Sequence, residues 1–285
     1  MSVIGGDTML VFCEGEPQSL DSRLLSSLLR GRPPTPLIVP LGGKQGLRSF
    51  IRGRLTGYSS PPPYVAFRDR DFDVEPPDEV GLISPQPDRP IYLTYRAAIE
   101  NYLLDATVID RYWTGHSQDA PQWSHGNSPG AADIQSWMDD AARELSSYQA
   151  VRWALSSLKP SHRWPELGTT WTNGSGDLPN SLAEGDCLAQ AKNLVSNYGT
   201  ETSNVSEASL LEGYQRFSAM FSASEFFDQA EYLIWFHGKD IKKAMQRLRP
   251  NSISLQHFFG WAVECVDWNQ HADLCQLADE VSPTQ

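Results

Sequence analysis

The sequence predicts an α/β protein in which a parallel sheet is flanked by helices, with a mainly helical C-terminal extension. Short apolar runs alternate with amphipathic helical patterns from residue 9 to about residue 104, and such alternation is typical of a parallel sheet. The apolar runs are continuous, as expected for strands that are buried on both faces. After about Asp105, apolar residues recur at steps of three and four, which indicates helices.

Four apolar runs are the predicted strands, over residues 9–13, 37–41, 64–67 and 91–94. The helices predicted between and after them cover about 21–29, 47–55, 97–104, 133–158, 182–197, 206–222, 225–236, 239–248, 254–268 and 270–280. Pro160 ends the longest of these helices, because proline has no N–H to donate. We therefore predict a sheet domain over 1–105 and a helical extension over 106–285.

The composition favours a globular acidic protein. The 285 residues include 23 Lys and Arg against 35 Asp and Glu, which gives a net charge of −12 and a pI near 4.9. Forty per cent of the residues are hydrophobic, which is enough for a core and excludes wholesale disorder. The negative charge argues against a general electrostatic grip on duplex DNA, although it leaves room for a local basic groove or a partner that supplies positive charge.

Local basic positions leave two interpretations open. Arg48, Arg52 and Arg54 precede the third predicted strand, and Arg68 and Arg70 end it. These side chains either give the sheet edge a positive rim or, for at least half of them, pair with the abundant acids.

We expect a cytoplasmic protein without a membrane span. No stretch approaches the roughly 18–20 apolar residues that a spanning helix needs, and residues 1–8 lack the basic and apolar regions of a secretory signal. Cys13, Cys187, Cys265 and Cys275 form no Cys-x-x-Cys pair, so reduced thiols are expected. The six histidines have no metal-ligand spacing, and we expect most of them to be surface or packing residues.

Carboxylates collect where the predicted strands end. Glu14 follows the first strand, and Asp69 and Asp71 follow the third. Ligands bind beyond the carboxyl ends of parallel strands, and residues two apart on an extended segment face the same way. Two carboxylates that point together repel each other unless a cation lies between them, and hard oxygen ligands favour Mg²⁺ or Mn²⁺. Each acidic residue alone is ordinary loop chemistry, but the combination favours a metal site.

These motifs carry a resemblance to a known family. Glu14-Gly15 and Asp69-Arg70-Asp71 resemble the hallmark of the TOPRIM domain, a metal-binding fold shared by topoisomerases, primases and some nucleases. The fuller pattern adds Ser19-Leu20-Asp21, Pro40-Leu41-Gly42-Gly43-Lys44, Ile99-Glu100-Asn101-Tyr102-Leu103-Leu104 and His237-Gly238-Lys239-Asp240. It is similar to that of TOPRIM nucleases encoded beside ABC-type ATPases, which are related to the overcoming-lysogenisation-defect nucleases and include the effector of the PARIS anti-phage defence system.

The resemblance implies roles for the matching residues. Glu14 would be the central metal ligand or general acid/base, and Asp69 and Asp71 would hold Mg²⁺. Glu100 would lie near the same ion, with a helix-surface glutamate as the alternative. Lys239 would be the cation that stabilises the transition state near the scissile phosphate, with a solvated lysine at a helix start as the alternative.

Two further positions stay open. Many TOPRIM sequences carry another acid three or four residues after the first glutamate, where this chain has Pro17 and Gln18. Glu16 or Asp21 could substitute, so a second metal is undecided. Lys44 follows two glycines and either meets a phosphate or lies in a simple turn.

The function implied by the resemblance is Mg²⁺-dependent cleavage of nucleic acid, with transfer RNA favoured over DNA. The setting would be bacterial anti-phage defence, in which an ABC-type ATPase holds the nuclease and releases it, and the released nuclease could form a homodimer. Two alternatives remain. The Asp69-x-Asp71-x-Asp73 pattern superficially fits a phosphatase of the haloacid-dehalogenase type, and a degenerate TOPRIM domain would be a non-catalytic sensor or scaffold.

Overall fold

The structure, a computed structural model, describes residues 8–42, 47–56, 58, 60–119, 124–158, 167–198 and 205–282. Lys44 lies outside these residues. The strands of this part are β1 (Leu10–Cys13), β2 (Leu37–Pro40), β3 (Tyr64–Arg68) and β4 (Ile91–Leu93). The helices are α1 (Leu20–Leu28), α2 (Leu47–Leu55), α3 (Glu100–Leu103), α4 (Ala106–Asp119), α5 (Ala131–Ser157), α6 (Glu184–Tyr198), α7 (Glu207–Phe221), α8 (Ser224–Asp228), α9 (Tyr232–Trp235), α10 (Gly238–Leu248), α11 (Leu255–Cys265) and α12 (Ala272–Val281).

The four strands form one parallel sheet in the order β2-β1-β3-β4, which confirms the predicted α/β class. The register pairs Cys13 with Pro40 on one side and with Phe67 on the other. Ile83 adds an isolated antiparallel bridge to Leu93. Because the strands run in the same direction, their carboxyl ends lie at one edge of the sheet.

Burial follows the position of each strand in the sheet. The residues of β1, which lies between two neighbours, are at most 1% exposed. Leu37 of the edge strand β2 is 41% exposed. The continuous apolar run of β1 is therefore the pattern of a strand covered on both faces.

Helices cover the two faces of the sheet. Leu47 of α2 packs in one cluster with Phe12 and Ile91. Side chains alternate along a strand, so Tyr92 faces the other side, where its hydroxyl donates a 3.0 Å hydrogen bond to Glu280 of α12. The sheet is thus sandwiched between α2 and α12.

The chain divides into two compact units. The sheet unit comprises the residues up to Arg70, Pro76–Ile99 and the residues from Gln256 onward, and the helical unit comprises Asp71–Glu75 and Glu100–Leu255. The division at residue 105 stays a prediction, since compact packing does not test whether a segment folds by itself.

Helix α5 is the centre of the helical unit. It contains 27 residues and is about 40 Å long at 1.5 Å per residue. It contacts α4, α6, α7 and α10. Trp153 of α5 packs against Phe217 and Trp235, with ring centroids 5.7 and 5.3 Å away, so an aromatic cluster joins α5 to its neighbours.

The single helix predicted over 225–236 is wrong, because two short helices replace it. Ala230 has φ +52°, and the Glu231 amide donates to the Phe226 carbonyl at 2.9 Å. This six-to-one hydrogen bond is the Schellman arrangement that ends helices, with the left-handed position usually taken by glycine. An alanine there gave no sequence signal for a break.

None of the helices in the described ranges is long and apolar enough to cross a membrane.

Candidate functional site

The turn after β1 presents Glu14 and requires glycine at the next position. Gly15 has φ +38°, in the left-handed region that glycine tolerates best. A Cβ added there would lie 2.1 Å from Ser19 Oγ and 2.9 Å from Asp21 Oδ2. Ser19 in turn caps α1, accepting a 3.4 Å hydrogen bond from the Ser22 amide. The Glu-Gly motif is therefore also a packing requirement between β1 and α1.

Glu14 and Asp69 lie at the ends of neighbouring strands. Cys13 pairs with Phe67, so Glu14 is level with Arg68 and Asp69 is one residue further on. Adjacent strands are about 4.8 Å apart and rise about 3.3 Å per residue. Asp69 is 7% exposed, and its Oδ1 accepts a 2.9 Å hydrogen bond from the Ile99 amide. The sheet register thus brings the backbones of these two acidic residues together.

The buried thiol of Cys13 lies close to negative charge at the end of β1. Burial raises the pKa of Cys13 to about 12, and the charges of Asp21 and Glu14 add to the shift. Asp21 also lies next to Gly15, whereas Glu16 is exposed. Of the two candidates for an additional acidic ligand, Asp21 is the one that the sheet unit brings to the Glu14 turn.

Arg70 belongs to the core rather than to a positive rim. It is 0% exposed, its amide donates to Thr94 Oγ1 at 2.9 Å, and its Nε donates to the Tyr95 carbonyl at 3.1 Å. These hydrogen bonds fix the segment that joins β3 to Asp71.

Asp71 binds a buried histidine. Asp71 has φ +50°, so the extended conformation assumed for the Asp-x-Asp segment ends there. His237 is 1% exposed, and its Nε2 lies 3.0 Å from Asp71 Oδ1. Its Nδ1 accepts a 3.2 Å hydrogen bond from the Lys239 amide, which caps α10. Because Nδ1 is the acceptor, Nε2 carries the hydrogen, and the Nε2–H group donates a hydrogen bond to Asp71.

The glycine of the His-Gly-Lys-Asp motif allows α10 to approach α3 closely. A Cβ on Gly238 would lie 2.7 Å from Asn101 Oδ1 and 2.8 Å from Glu100 Cβ. Asn101 is fully buried, accepts from the Gly238 amide at 2.9 Å and donates to the Phe236 carbonyl at 2.8 Å. The starts of α3 and α10 are therefore joined by hydrogen bonds between the Asn101 side chain and the backbone on either side of His237.

Glu100 and Lys239 meet at this junction. Lys239 Nζ lies 3.7 Å from Glu100 Oε1. Glu100 is 6% exposed, so the alternative of a helix-surface glutamate is wrong. Its Oε2 is buried and receives no hydrogen bond from any described residue. An acceptor in that condition is costly unless a proton donor or a cation reaches it.

A second lysine lies beside the same carboxylate. Burial lowers the pKa of Lys242, the charge of Glu100 opposes the shift, and the charges of Lys239 and Lys243 contribute to it. A group with a shifted pKa and a specific charge partner is a candidate for a functional site. The helical unit thus combines two lysines with one buried carboxylate at the start of α10.

Buried polar contacts hold the first turn of α10. Asp240 is 0% exposed and forms an ion pair with Arg152, which is 3% exposed. Gln149 Nε2 donates to Asp240 at 2.8 Å, and the Gly176 amide donates to it at 2.6 Å. Arg152 also donates to Ser175 Oγ at 2.9 Å. Both carboxylate oxygens of Asp240 therefore accept hydrogen bonds, and Lys239 is positioned by its neighbour.

The two units hold different parts of the predicted site. The sheet unit brings Glu14 to Asp69, and the helical unit brings Asp71, Glu100 and Lys239 around the start of α10. Within the described ranges, no three His, Cys, Asp or Glu side chains form a metal-type group. The contacts of His237 and Asp240 were missed from sequence, although the histidine stands directly before a helix start, where a cap is expected.

A separate cavity of about 590 Å³ lies in the helical unit. Among the residues that the structure describes, its lining includes Trp171, Asn173, Asp177, Asp186 and Gln190, and no Lys or Arg. This lining suits an uncharged or cationic group better than a phosphate.

Comparison of the chain with models of known protein families and with curated proteins finds no match. Any assignment of function therefore depends on the residues and contacts described above.

Proposed function

We propose that the protein is a metal-dependent TOPRIM-type nuclease that cleaves nucleic acid, with transfer RNA as the favoured substrate. In this proposal it is the toxic effector of an anti-phage defence system in the bacterial cytoplasm. An ABC-type ATPase partner controls it, and release from that partner allows a homodimer to form. The proposal is supported by the resemblance of the motifs and by the contacts that the motif residues make.

The observation that supports it most is the parallel register of β1 and β3. Acidic residues follow both strands. Cys13 is level with Phe67, so Glu14 is level with Arg68 and Asp69 is one residue beyond it. The carboxyl edge of a parallel sheet is where such folds bind ligands. Two acidic residues thus lie at adjacent strand ends. The negative charges of Glu14 and Asp21 already raise the pKa of Cys13. A bound cation best explains why so much negative charge collects there.

The donor chemistry fits Mg²⁺, with Mn²⁺ as the alternative. Glu14, Asp69, Asp71 and Glu100 offer carboxylate oxygens, which these hard cations prefer. Glu100 Oε2 is buried and lacks a donor among the described residues, as a carboxylate reserved for a ligand would. When bound, the metal supplies a Lewis acid for the phosphate and lowers the pKa of water.

The protein groups have separate tasks in the proposed reaction. Glu14 is the general acid/base that exchanges a proton with the attacking or leaving oxygen. Lys239 offsets the negative charge that grows on the phosphate in the transition state. The helix dipole disfavours a cation at a helix start, so the Glu100 carboxylate, 3.7 Å from Lys239 Nζ, helps to keep this ammonium in place. His237 orients Asp71 through its 3.0 Å contact.

The test is the integrity of total RNA and of plasmid DNA after expression of the protein without its partner. We expect fragmented transfer RNA with the wild-type protein and intact RNA with Glu14→Gln or Asp69→Asn. With purified protein, chelation should abolish cleavage, and Mg²⁺ or Mn²⁺ should restore it. Removal of one charged group from such a site should slow cleavage by about a hundredfold or more.

The matched control is Asp88→Asn, which removes an exposed carboxylate before β4, at the other edge of the sheet. It should cleave like the wild type. Unchanged cleavage by Glu14→Gln would contradict the proposal. Release of phosphate from small phosphoesters by Glu14→Gln but not by Asp69→Asn would instead support a phosphatase. Intact nucleic acid with every variant and the wild type would support a non-catalytic sensor or scaffold.

A further inference from the structure

Helix α2 is a basic element in an acidic protein. Its nine residues include Arg48, Arg52 and Arg54 and no Asp or Glu, although the chain carries a net charge of −12. Leu47 and Ile51 are buried against the sheet, and all three arginines are exposed. The cations thus face solvent while the apolar stripe holds the helix in place.

The exposed side of α2 has cations on both flanks. Residues four apart lie on the same side of a helix, so Arg48 and Arg52 share one flank. Phe50 and Arg54 share the other, and Phe50 is 45% exposed. A single exposed phenylalanine is ordinary on a protein surface, but this one lies on the same flank as a cation, where its ring is accessible for stacking.

Small residues run between the two flanks. Ser49 and Gly53 are exposed, and a Cβ added to Gly53 would meet nothing within 4 Å. An extended chain could therefore lie along this side of the helix, close to its backbone.

Arg52 and Arg54 of α2 differ from the arginines of α1 and the turn after it. Arg23 and Arg30 bind Glu264, and Arg32 binds Asp279, at 3.0–3.3 Å. Among the described residues, no ion pair involves Arg52 or Arg54. Their charge is therefore not neutralised by the acidic residues that the structure describes.

Helix α2 begins at the edge of the sheet that carries Glu14. It follows β2, after which the Leu41 amide donates to the Cys13 carbonyl at 3.0 Å and the Gly42 amide donates to the Gly15 carbonyl at 2.8 Å. The axis of a nine-residue helix is about 13 Å long. A chain bound along α2 would thus lead to the turn that presents Glu14.

We propose that the exposed side of α2 is the docking surface for an unpaired segment of the RNA substrate. Arginines on both flanks would contact phosphates, and Phe50 would stack on a base, which is accessible only in a single strand. The proposal rests on the proposed nuclease function, because it assigns the substrate path to the same edge of the sheet.

The competing explanation is that Arg52 and Arg54 only stabilise the helix. Both lie in its last turn, where cations complement the helix dipole. That role predicts a lower melting temperature on their removal and no change in RNA affinity, so both quantities must be measured on the same variants.

The experiment compares Arg52→Gln/Arg54→Gln with Arg89→Gln/Lys192→Gln. The second pair removes the same charge from positions outside α2 and is the matched control. Binding of fluorescently labelled transfer RNA is followed by anisotropy in EDTA over a range of salt concentrations. We expect the α2 pair to weaken binding about tenfold and to make the slope of log K against log salt shallower by about 1.4, at about 0.7 per lost contact with a single strand.

Phe50→Leu tests the stacking contact separately. Leucine keeps an apolar side chain but cannot stack, so we expect RNA affinity to fall about fivefold with little change in the salt slope. A single-stranded DNA of the same sequence as an RNA oligonucleotide provides the second arm. Equal binding of the two, with equal loss in the α2 variants, would contradict an RNA surface.

The outcomes separate this proposal from the proposed nuclease function. Loss of RNA binding in the α2 pair, with the control unchanged, supports the docking surface even if no cleavage is found. Equal effects of the two pairs on binding would overturn it. Wild-type binding by Arg52→Gln/Arg54→Gln would also overturn it. The nuclease proposal would then depend only on the cleavage test with Glu14→Gln.

Discussion

The sheet unit and the helical unit hold their motif residues by different means. In the sheet unit, the parallel pairing of β1 and β3 places Asp69 one residue beyond the level of Glu14 on the neighbouring strand. In the helical unit, Lys239 is held by a network in which the buried Asp240 accepts from Arg152, Gln149 and Gly176. Backbone pairing is insensitive to most single side chains, whereas a buried network fails when one member is removed. The helical part of the candidate site should therefore be the more fragile.

The largest expected effect is that of Asp240→Ala. It leaves the guanidinium of Arg152 buried without its anion, which costs about 3–5 kcal/mol in the free energy of unfolding. Arg216→Ala is the matched control, because its ion pair with Glu75 is exposed and such pairs contribute about 0–1 kcal/mol. Urea denaturation measures both values. Similar values for the two variants would contradict the fragility assigned to the buried network around Asp240.

Gly238→Ala should have the next largest effect. The new Cβ would lie 2.7–2.8 Å from Asn101 and Glu100, so α10 and α3 must move apart at a cost of about 1–3 kcal/mol. The control is Gly53→Ala in α2, where nothing lies within 4 Å of the added Cβ and alanine should stabilise the helix by about 0.5–1 kcal/mol. Opposite signs in thermal or urea unfolding are the expected result.

His237 allows the cap and the Asp71 contact to be separated. His237→Asn keeps a side chain that can cap α10 but is too short to reach Asp71 as the imidazole does. We expect modest loss of stability and, if Asp71 binds Mg²⁺, a metal affinity about 10–100-fold weaker. His237→Phe should weaken both. A Mg²⁺ titration of cleavage, read beside the unfolding curves, would refute the positioning role if His237→Asn required no more metal than the wild type.

The smallest effect concerns the thiols. Burial raises the pKa of Cys13 to about 12 and that of Cys187 to about 11, so neither should react with an alkylating reagent at pH 8. Cys265 is exposed and should react quickly without loss of structure. Mass spectrometry of the native protein after brief labelling gives the modified positions. Labelling of Cys13 in the folded protein would show that the end of β1 is less closed than described.

The sheet could be predicted from sequence because its signals are local. Each strand is an apolar run that stops at a polar or turn residue. The first run stops at Glu14 and the third stops at Arg68, directly before Asp69. The position of both at one edge then follows from the parallel class alone.

The helical part of the site could not be predicted in the same way. Arg152 and Asp240 are 88 residues apart in the chain, and no periodicity links them. His237 was expected to be a packing or surface residue, because its two contacts, with Asp71 and with the Lys239 amide, depend on where α10 begins. The break at Ala230 was missed because the chain uses an alanine where glycine is usual.

Replacing Ala230 with glycine should give a more stable protein for crystallisation. The left-handed backbone conformation costs an L-amino acid about 1–2 kcal/mol, and glycine adopts it without that cost. Glycine loses more conformational entropy on folding, which reduces the gain by about 0.5–1 kcal/mol. The residue belongs to the turn between α8 and α9, away in sequence from every acidic residue of the candidate site. A glycine there could raise the yield of folded protein while leaving the proposed chemistry intact.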